Sequence, residues 1–183
     1  FARSLSARLL VLTIVFVMLA EVLIYAPSVS NFRINWLKDQ AESAHIAVLA
    51  LEAAPAELIS EDLKAQLLSR AGAYAVALIR ADRRLLLYTG PPPPVDVTVN
   101  LADGSLFGDI GDAFATMSRT GDPTLRLISP TEQDPDLEVE AVLNEAHLRT
   151  EMMLYSRNIL LLSVVISLIT GLLLYLSLQW LMV

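Results

Sequence analysis

The sequence predicts an α+β fold in which two transmembrane helices flank one extracytoplasmic domain with a small antiparallel sheet. Apolar runs over 9–26 and 159–183 stand at the two ends of the 183 residues, and the second run carries no charge over its 25 residues. Between them, strand-like and helix-like hydrophobic patterns follow one another. A helix as long as the second run covers roughly 37 Å, which exceeds a hydrocarbon core of roughly 30 Å.

The boundaries of the segments follow from these runs. Arg3 and Arg8 precede the first run without an acidic residue, so the positive-inside rule places the N-terminus in the cytoplasm. Two spans return the C-terminus there. The first run is longer than the apolar core of a signal peptide, so we expect an uncleaved anchor. The expected segments are a cytoplasmic flank over 1–8, transmembrane helices over 9–26 and 158–183, and an outer sensor domain over 27–157.

Composition limits the partners of the outer domain. The chain is 55% hydrophobic, an excess that two membrane spans explain. Residues 27–157 carry 11 Lys and Arg against 19 Asp and Glu, so the domain is acidic and nucleic acid is not an expected partner. The sequence contains no cysteine, which excludes disulfides and thiolate metal sites.

The first span is expected to continue as a long helix above the membrane. A heptad-like seam of apolar residues follows it at 3-4 spacing. This seam packs either on the domain's own core or against a second copy of the chain. Its members are Ile34, Leu37, Ala41, Ala44, Val48 and Leu51.

The outer domain shows strand and helix patterns in alternation. Ser60 is expected to cap a short helix that ends before Gly72, and Asn144 to cap a last helix that enters the second span. Strands are predicted over 73–79, 84–88, 95–99, 124–128 and 137–143. The helix between the third and fourth strands has one apolar face, formed by Leu106, Phe107, Ile110, Phe114 and Met117. This order of elements favours a PAS- or Cache-like domain.

The last helix predicts a homodimer. Leu148, Met152, Tyr155 and Ile159 follow a 4-3-4 spacing that continues into the second span. Such a seam is typical of helices that pack against a second copy of the same chain.

An acidic run is the first candidate binding site. Its residues are Glu132, Asp134, Asp136, Glu138 and Glu140, with no basic residue among them. Carboxylate oxygens bind calcium or magnesium, so Asp134, Asp136, Glu138 and Glu140 are candidate ligands. The alternative interpretation is a solvated strand face followed by a loop.

Three arginines form a second candidate site. Arg80, Arg83 and Arg84 stand at the turn of the first hairpin and are candidates to hold an anionic ligand or a lipid headgroup. The alternative is a solvated turn.

Small residues in the second span predict close helix packing. Ser163, Ser167 and Gly171 recur every four residues, a spacing that lets helices approach closely in lipid. Glu21 is the single ionisable residue within the spans, near the outer edge of the first.

No catalytic constellation is visible in the sequence. It contains no phosphate-binding loop and no dinucleotide fingerprint. His45 and His147 are the only histidines and stand on separate helices. We therefore expect this segment to bind or sense and to perform no chemistry, and to need no cofactor.

The apolar segments resemble those of a known family. Residues 6–13 (SARLLVLT), 18–24 (MLAEVLI), 27–29 (PSV), 112–116 (DAFAT) and 173–181 (LLYLSLQWL) resemble the N-terminal region of proteobacterial two-component sensor histidine kinases. The resemblance implies a periplasmic sensor domain in the bacterial inner membrane. It also implies a HAMP linker and a kinase region beyond residue 183 that would use ATP and magnesium and pass phosphate to a response regulator.

Two other functions fit the same layout. A chemoreceptor or a cyclic-dinucleotide enzyme would use the same sensor region with another output. A structural envelope scaffold would use the acidic domain to hold partners.

Overall fold

A computed structural model describes residues 2–55, 59–80, 83–131 and 134–181, and over these it confirms the α+β class. The described residues form four α-helices and a five-stranded mixed sheet. The helices are α1 (Ala2–Ala53), α2 (Glu61–Arg70), α3 (Leu106–Ser118) and α4 (Glu145–Leu181). The strands are β1 (Ala73–Arg80), β2 (Arg83–Tyr88), β3 (Val97–Asn100), β4 (Thr124–Thr131) and β5 (Asp134–Asn144).

Local signals in the sequence set the ends of the short elements. Ser60 accepts a hydrogen bond from the backbone N–H of Leu63 at the start of α2, at 3.1 Å. Gly72 follows that helix with a φ of +61°, which favours glycine because it has no Cβ. The Asn144 side chain accepts a hydrogen bond from the N–H of Ala146 at the start of α4, at 2.8 Å. These predicted caps are confirmed.

The sheet has the order β2-β1-β5-β4-β3 and is not wholly antiparallel as predicted. β3 pairs with β4 in parallel, with Val97 opposite Leu125, whereas the other pairs are antiparallel. The physical reason is the connection. α3 lies between β3 and β4 in the chain, and a crossover through a helix returns the next strand in the same direction.

One face of the sheet is packed on the helices. Val139 and Ala141 of β5 point to this face with Leu125 and Leu127 of β4, and all four are buried. The alternation that predicted these strands is therefore correct. The other face is more open, since Leu86 on β2 is exposed there beside the register pair of Ala77 and Glu140.

α1 is one helix of 52 residues that continues through Pro27. Its upper half, residues 27–53, packs on the sheet through the predicted seam, and Leu37, Ala44 and Val48 are fully buried. Of the two interpretations of this seam, packing on the domain's own core is the one observed.

The upper half of α4, residues 145–157, packs on the same core. Leu148 and Met152 are fully buried inside the chain. Their predicted role in a seam between two copies is therefore wrong. Heptad spacing identifies a buried stripe but does not identify what covers it, and here the stripe is covered by the same chain.

The two long helices lie side by side in opposite directions. Aromatic contacts join Phe32 to Tyr155, and Glu21 lies 2.7 Å from Ser167 further down. The helices therefore do not stand on opposite sides of the domain, as the predicted flanking arrangement requires. They leave it together on the same side.

The lower parts of both helices are exposed and apolar. Two helical stretches, Val15–Ala53 and Glu145–Leu173, are long and apolar enough to cross a membrane by length and composition. Within them, the lower halves comprise residues 15–26 of α1 and 158–173 of α4. Large apolar side chains such as Leu23 and Leu168 are exposed there, as lipid-facing side chains are.

Candidate functional site

A buried polar cluster joins α1, α3 and α4 at the base of the sheet domain. Arg33 on α1 is only 2% exposed and donates from Nε to Thr116 Oγ1 on α3 at 3.2 Å. Thr116 Oγ1 in turn donates to Glu145 Oε1 at the start of α4, at 3.0 Å. One hydroxyl thus links the two long helices through the short one.

Arg119 and Asp112 complete the charge balance of this cluster. Arg119 Nη1 lies 2.5 Å from Glu145 Oε1, and Arg33 Nη1 lies 3.9 Å from Asp112 Oδ2. Two guanidinium groups therefore face two carboxylates. A buried charge without a partner is strongly unfavourable, so this balance is what makes the burial of Arg33 and Glu145 tolerable.

The backbone ties the cluster to the sheet. Arg149 Nη1 donates to the backbone carbonyl of Arg119 at 2.9 Å, which fixes the end of α3 against α4. The backbone N–H of Glu145 donates to the carbonyl of Pro123, just before β4, at 3.0 Å. A displacement of α4 at this point would therefore change its contacts with the end of α3 and with the residues before β4.

Two observations describe the electrostatic environment of the buried charges of Arg33 and Glu145. Burial lowers the pKa of the Arg33 guanidinium, and the carboxylates of Asp112 and Glu145 oppose that shift. Glu145 is 1% exposed, and its Oε2 has no hydrogen-bond partner among the described residues. A buried acceptor without a donor costs free energy, so Oε2 weakens rather than adds to the stability of this arrangement.

Aromatic and hydroxyl contacts connect α1 and α4 below the cluster. The rings of Phe32 and Tyr155 stack with centroids 4.3 Å apart, and Tyr155 Oη lies 3.0 Å from Ser28 Oγ. Tyr25 and Ser156 are joined by a further hydrogen bond between their hydroxyl groups. These contacts hold the helices in register where they leave the domain.

An open groove runs along α1 beside these contacts. Its volume is about 430 Å³. Polar and aromatic side chains share its walls: Ser28, Asn31, Phe32, Asn35, Trp36, Asp39 and Tyr155. The groove is shallow and open to solvent along its length, so we assign it no ligand.

The acidic run is not assembled into a cation site in the part of the chain that the structure describes. Glu140 Oε1 accepts a hydrogen bond from Arg126 Nη2 at 2.5 Å and lies 4.0 Å from Arg84 Nη2, so its charge is already neutralised. Among the described residues, no group of three or more His, Asp or Glu could hold a metal ion. The side chains of Asp134 and Asp136 lie outside the described set, and Glu138 shares the sheet face of Glu140.

The arginine turn is divided between the two faces of the sheet. Arg80 lies beside Glu52 of α1, on the helix-covered side. Arg84 lies opposite Ile79 in the register, next to Glu140 on the open side. Successive register positions alternate between faces, so Arg80 and Arg84 do not converge on one anion. The Arg83 side chain lies outside the described set.

The small residues of the second span are used in part. Ser167 faces α1 and bonds to Glu21, so this stripe does lie between the two long helices. Ser163 is half-buried on the same side. A Cβ built at Gly171 meets nothing within 4 Å, so the helices do not approach closely at that level.

The histidines do not form a site with each other. Trp36 and His147 are in edge-to-face contact, with ring centroids 5.9 Å apart, which places His147 on the boundary between α1 and α4. His45 is half-buried higher on α1.

Sequence reasoning missed the buried polar cluster. A signal was present for one member, since Arg33 stands four residues before Leu37 and therefore on the buried seam of α1. A charge at a seam position predicts a buried partner. Thr116 and Glu145 gave no comparable signal, since 83 residues separate Arg33 from Thr116 and no spacing relates them.

Comparisons with protein-family models, with curated proteins and with solved structures find no match to this chain.

Proposed function

We propose that residues 1–183 are the sensor and transmembrane portion of a two-component sensor histidine kinase. In this proposal both termini are cytoplasmic, residues 27–157 form a PAS- or Cache-like periplasmic domain, and α1 and α4 cross the bacterial inner membrane. The segment itself does no chemistry. A kinase region beyond residue 183 would use ATP and magnesium and phosphorylate a response regulator.

The observation that carries the proposal is the continuity of α1 and α4. Each is a single helix from the domain core to the end of its apolar half, over 52 and 37 residues. Because each helix is continuous, a change in its packing at Arg33 or Glu145 can be carried to its lower end. A receptor needs this property, because its signal must cross the bilayer as a displacement of helices.

The buried polar cluster supplies a place where two packing states can differ. A stimulus transmits a signal only if it binds one state better than the other. Thr116 connects Arg33 to Glu145, so a shift of α3 would change the contacts of both long helices.

The proposal retains a homodimer but assigns the contacts between copies to positions other than the predicted seam. Leu148 and Met152 are buried within their own chain, so they cannot contact a second copy. Ile46 and Leu49 on α1, and Met153 and Leu154 on α4, are exposed large apolar residues on the upper halves. They are the positions at which cross-links between copies are expected.

A chimera tests the signalling function. Residues 1–183 would be joined to the HAMP and kinase region of a characterised sensor kinase, and phosphorylation of its response regulator measured in membranes. We expect Glu145→Gln to change the basal phosphorylation severalfold, and the matched variant Glu151→Gln, on the same helix outside the cluster, to leave it unchanged. Equal outputs from the two variants would overturn the coupling role.

Cysteine labelling tests the membrane topology, since the chain has no cysteine of its own. A cysteine at position 100 should react with an impermeant reagent from outside intact cells, and one at position 3 should not. The reverse pattern would refute the proposed orientation. The reading frame beyond residue 183 tests the kinase output against the chemoreceptor and cyclic-dinucleotide alternatives.

A further inference from the structure

α3 presents an apolar face that the domain does not cover. Phe107 is 85% exposed and Leu106 is 66% exposed, and Phe114 is also exposed. Ile110 lies between them on the same face and is half-buried. The residues that α3 buries are Ala113 and Thr116. Thr116 lies opposite Phe107 around the helix, whereas Ala113 lies beside Leu106. Met117, which the sequence places on the apolar face, packs against the core, so the core covers one edge of that face and leaves Phe107 and Phe114 exposed.

The orientation of α3 relative to α1 is fixed by contacts at two levels. Arg33 contacts Asp112 and Thr116 on one side of α3. Phe114, on another side, has its ring centroid 6.3 Å from that of Tyr25. Eight residues of helix separate Tyr25 from Arg33, which is about 12 Å along α1. α3 therefore lies across α1, with its Phe114 side directed toward the apolar lower half.

Phe107 and Ile110 point to the same side of α3 as Phe114. At about 100° per residue, Phe107 lies about 20° from Phe114 around the helix and about 180° from Thr116. Phe107 thus projects away from the buried polar cluster and toward the level at which the mostly apolar lower half of α1 begins. Tyr25, at that level, is of the residue type that concentrates at membrane interfaces.

We propose that α3 is a membrane-surface helix. Its apolar face, formed by Leu106, Phe107, Ile110 and Phe114, lies in the headgroup region of the leaflet from which α1 and α4 emerge. The inference rests on the proposed membrane placement of these two helices. The occupant is the lipid surface because the face continues the apolar surface of α1 at Tyr25, and amphipathic helices bind bilayers through such a face.

The charge on α3 selects the kind of lipid. The helix carries Asp109 and Asp112 and no basic residue. Anionic headgroups would be repelled, so the surface is a zwitterionic one, bound by insertion of apolar side chains. With the bilayer on one side and Arg33 on the other, α3 is held between the membrane and the buried polar cluster. A change in the packing of the lipid surface would then displace α3 and change the contacts of Thr116.

Depth-dependent quenching tests this inference on the full chain. Single cysteines would replace Phe107, Leu23 and Asp62, each labelled with bimane in phosphatidylcholine nanodiscs. Some of the lipids carry a nitroxide near the top of the acyl chain. We expect the labels at 107 and 23 to be quenched severalfold more than the label at 62, which sits at the start of α2. Far-UV circular dichroism equal to that of the unsubstituted chain checks that each variant is folded.

The outcomes separate this inference from the proposed function. Quenching at 23 with none at 107 would overturn the surface helix and leave the membrane placement intact. Absence of quenching at 23 would overturn both. A label at 107 that is shielded from water, is unquenched by lipid and, as a spin label, shows dipolar broadening between copies would assign the face to a second chain and overturn the lipid proposal.

Discussion

The upper and lower halves of the two long helices are built for different surroundings. In the upper halves, buried positions recur at a fixed spacing and a few polar groups have defined partners, such as Arg33 with Thr116. In the lower halves, apolar side chains such as Leu23 are exposed around the helix, and polar contacts such as that of Glu21 with Ser167 are few among the described residues. Each long helix thus packs through specific contacts in its upper half and through few specific contacts in its lower half. The specific contacts therefore lie mainly in the upper halves, within the domain.

The largest expected effect is at the buried polar cluster. Glu145→Ala should destabilise the domain by about 3–5 kcal/mol, because it leaves the guanidinium of Arg119 and the hydroxyl of Thr116 without their acceptor. Urea unfolding of the full chain in micelles, followed by the fluorescence of Trp36 and Trp180, measures it. Glu151→Ala on the same helix is the matched control and should change stability little. Equal losses from the two variants would contradict the role of the cluster.

A leucine in each half of α1 tests the comparison directly. Leu37→Ala should cost about 2–5 kcal/mol, since Leu37 is fully buried and its removal leaves a cavity. Leu23→Ala, at a position 67% exposed, should change the stability of the domain little in the same micelles. If Leu23→Ala were as costly as Leu37→Ala, the lower half would be specifically packed and the comparison would fail.

A smaller effect is expected where the halves meet. Tyr155→Phe keeps the ring stacked on Phe32 but removes the hydroxyl that bonds to Ser28, at a cost of about 1 kcal/mol. Tyr88→Phe, on an exposed position of β2, is the control and should be near zero. The difference between the midpoints of urea unfolding measures the hydrogen bond. No difference would show that the hydroxyl of Tyr155 does not help to set the register of the helices.

The smallest effect is expected in the lower halves. Ser167→Ala removes the hydrogen bond to Glu21 and should cost about 0.6 kcal/mol, a typical value for such bonds between membrane helices. Thr170→Val removes a hydroxyl from an exposed position of α4 and serves as control. The measurement is thermal unfolding monitored by circular dichroism in bilayers. If Ser167→Ala were as destabilising as Glu145→Ala, the lower halves would also be specifically packed, and the contrast with the upper halves would fail.

The fold was largely predictable because its elements carry local signals. Alternation identified β4 and β5, and Ser60 and Asn144 marked two helix starts. The parallel pairing of β3 was not predictable in the same way, since periodicity identifies a strand but not the direction of its partner. The heptad spacing at Leu37 and Leu148 likewise located a buried stripe without saying which chain would bury it.

The candidate site was much less predictable than the fold. The acidic neighbours of Glu140 in the sequence predict a cation ligand, whereas its neighbours in space are Arg84 and Arg126. The seam position of Arg33 predicts a buried partner, but nothing in the sequence identifies that partner as Thr116 or Glu145. A site built from residues distant in the chain depends on tertiary contacts, and local patterns do not contain that information.

The order of the sheet also affects how the domain avoids aggregation. β2 and β3 lie at its two edges, where unpaired backbone groups can recruit a strand from another molecule. β3 has only four residues and follows the prolines at 91–94, which cannot donate to a ladder. β2 begins with the charged pair Arg83 and Arg84. Short length, proline and charge at the two edges discourage the pairing of strands between molecules, so the sheet is protected against edge-to-edge aggregation.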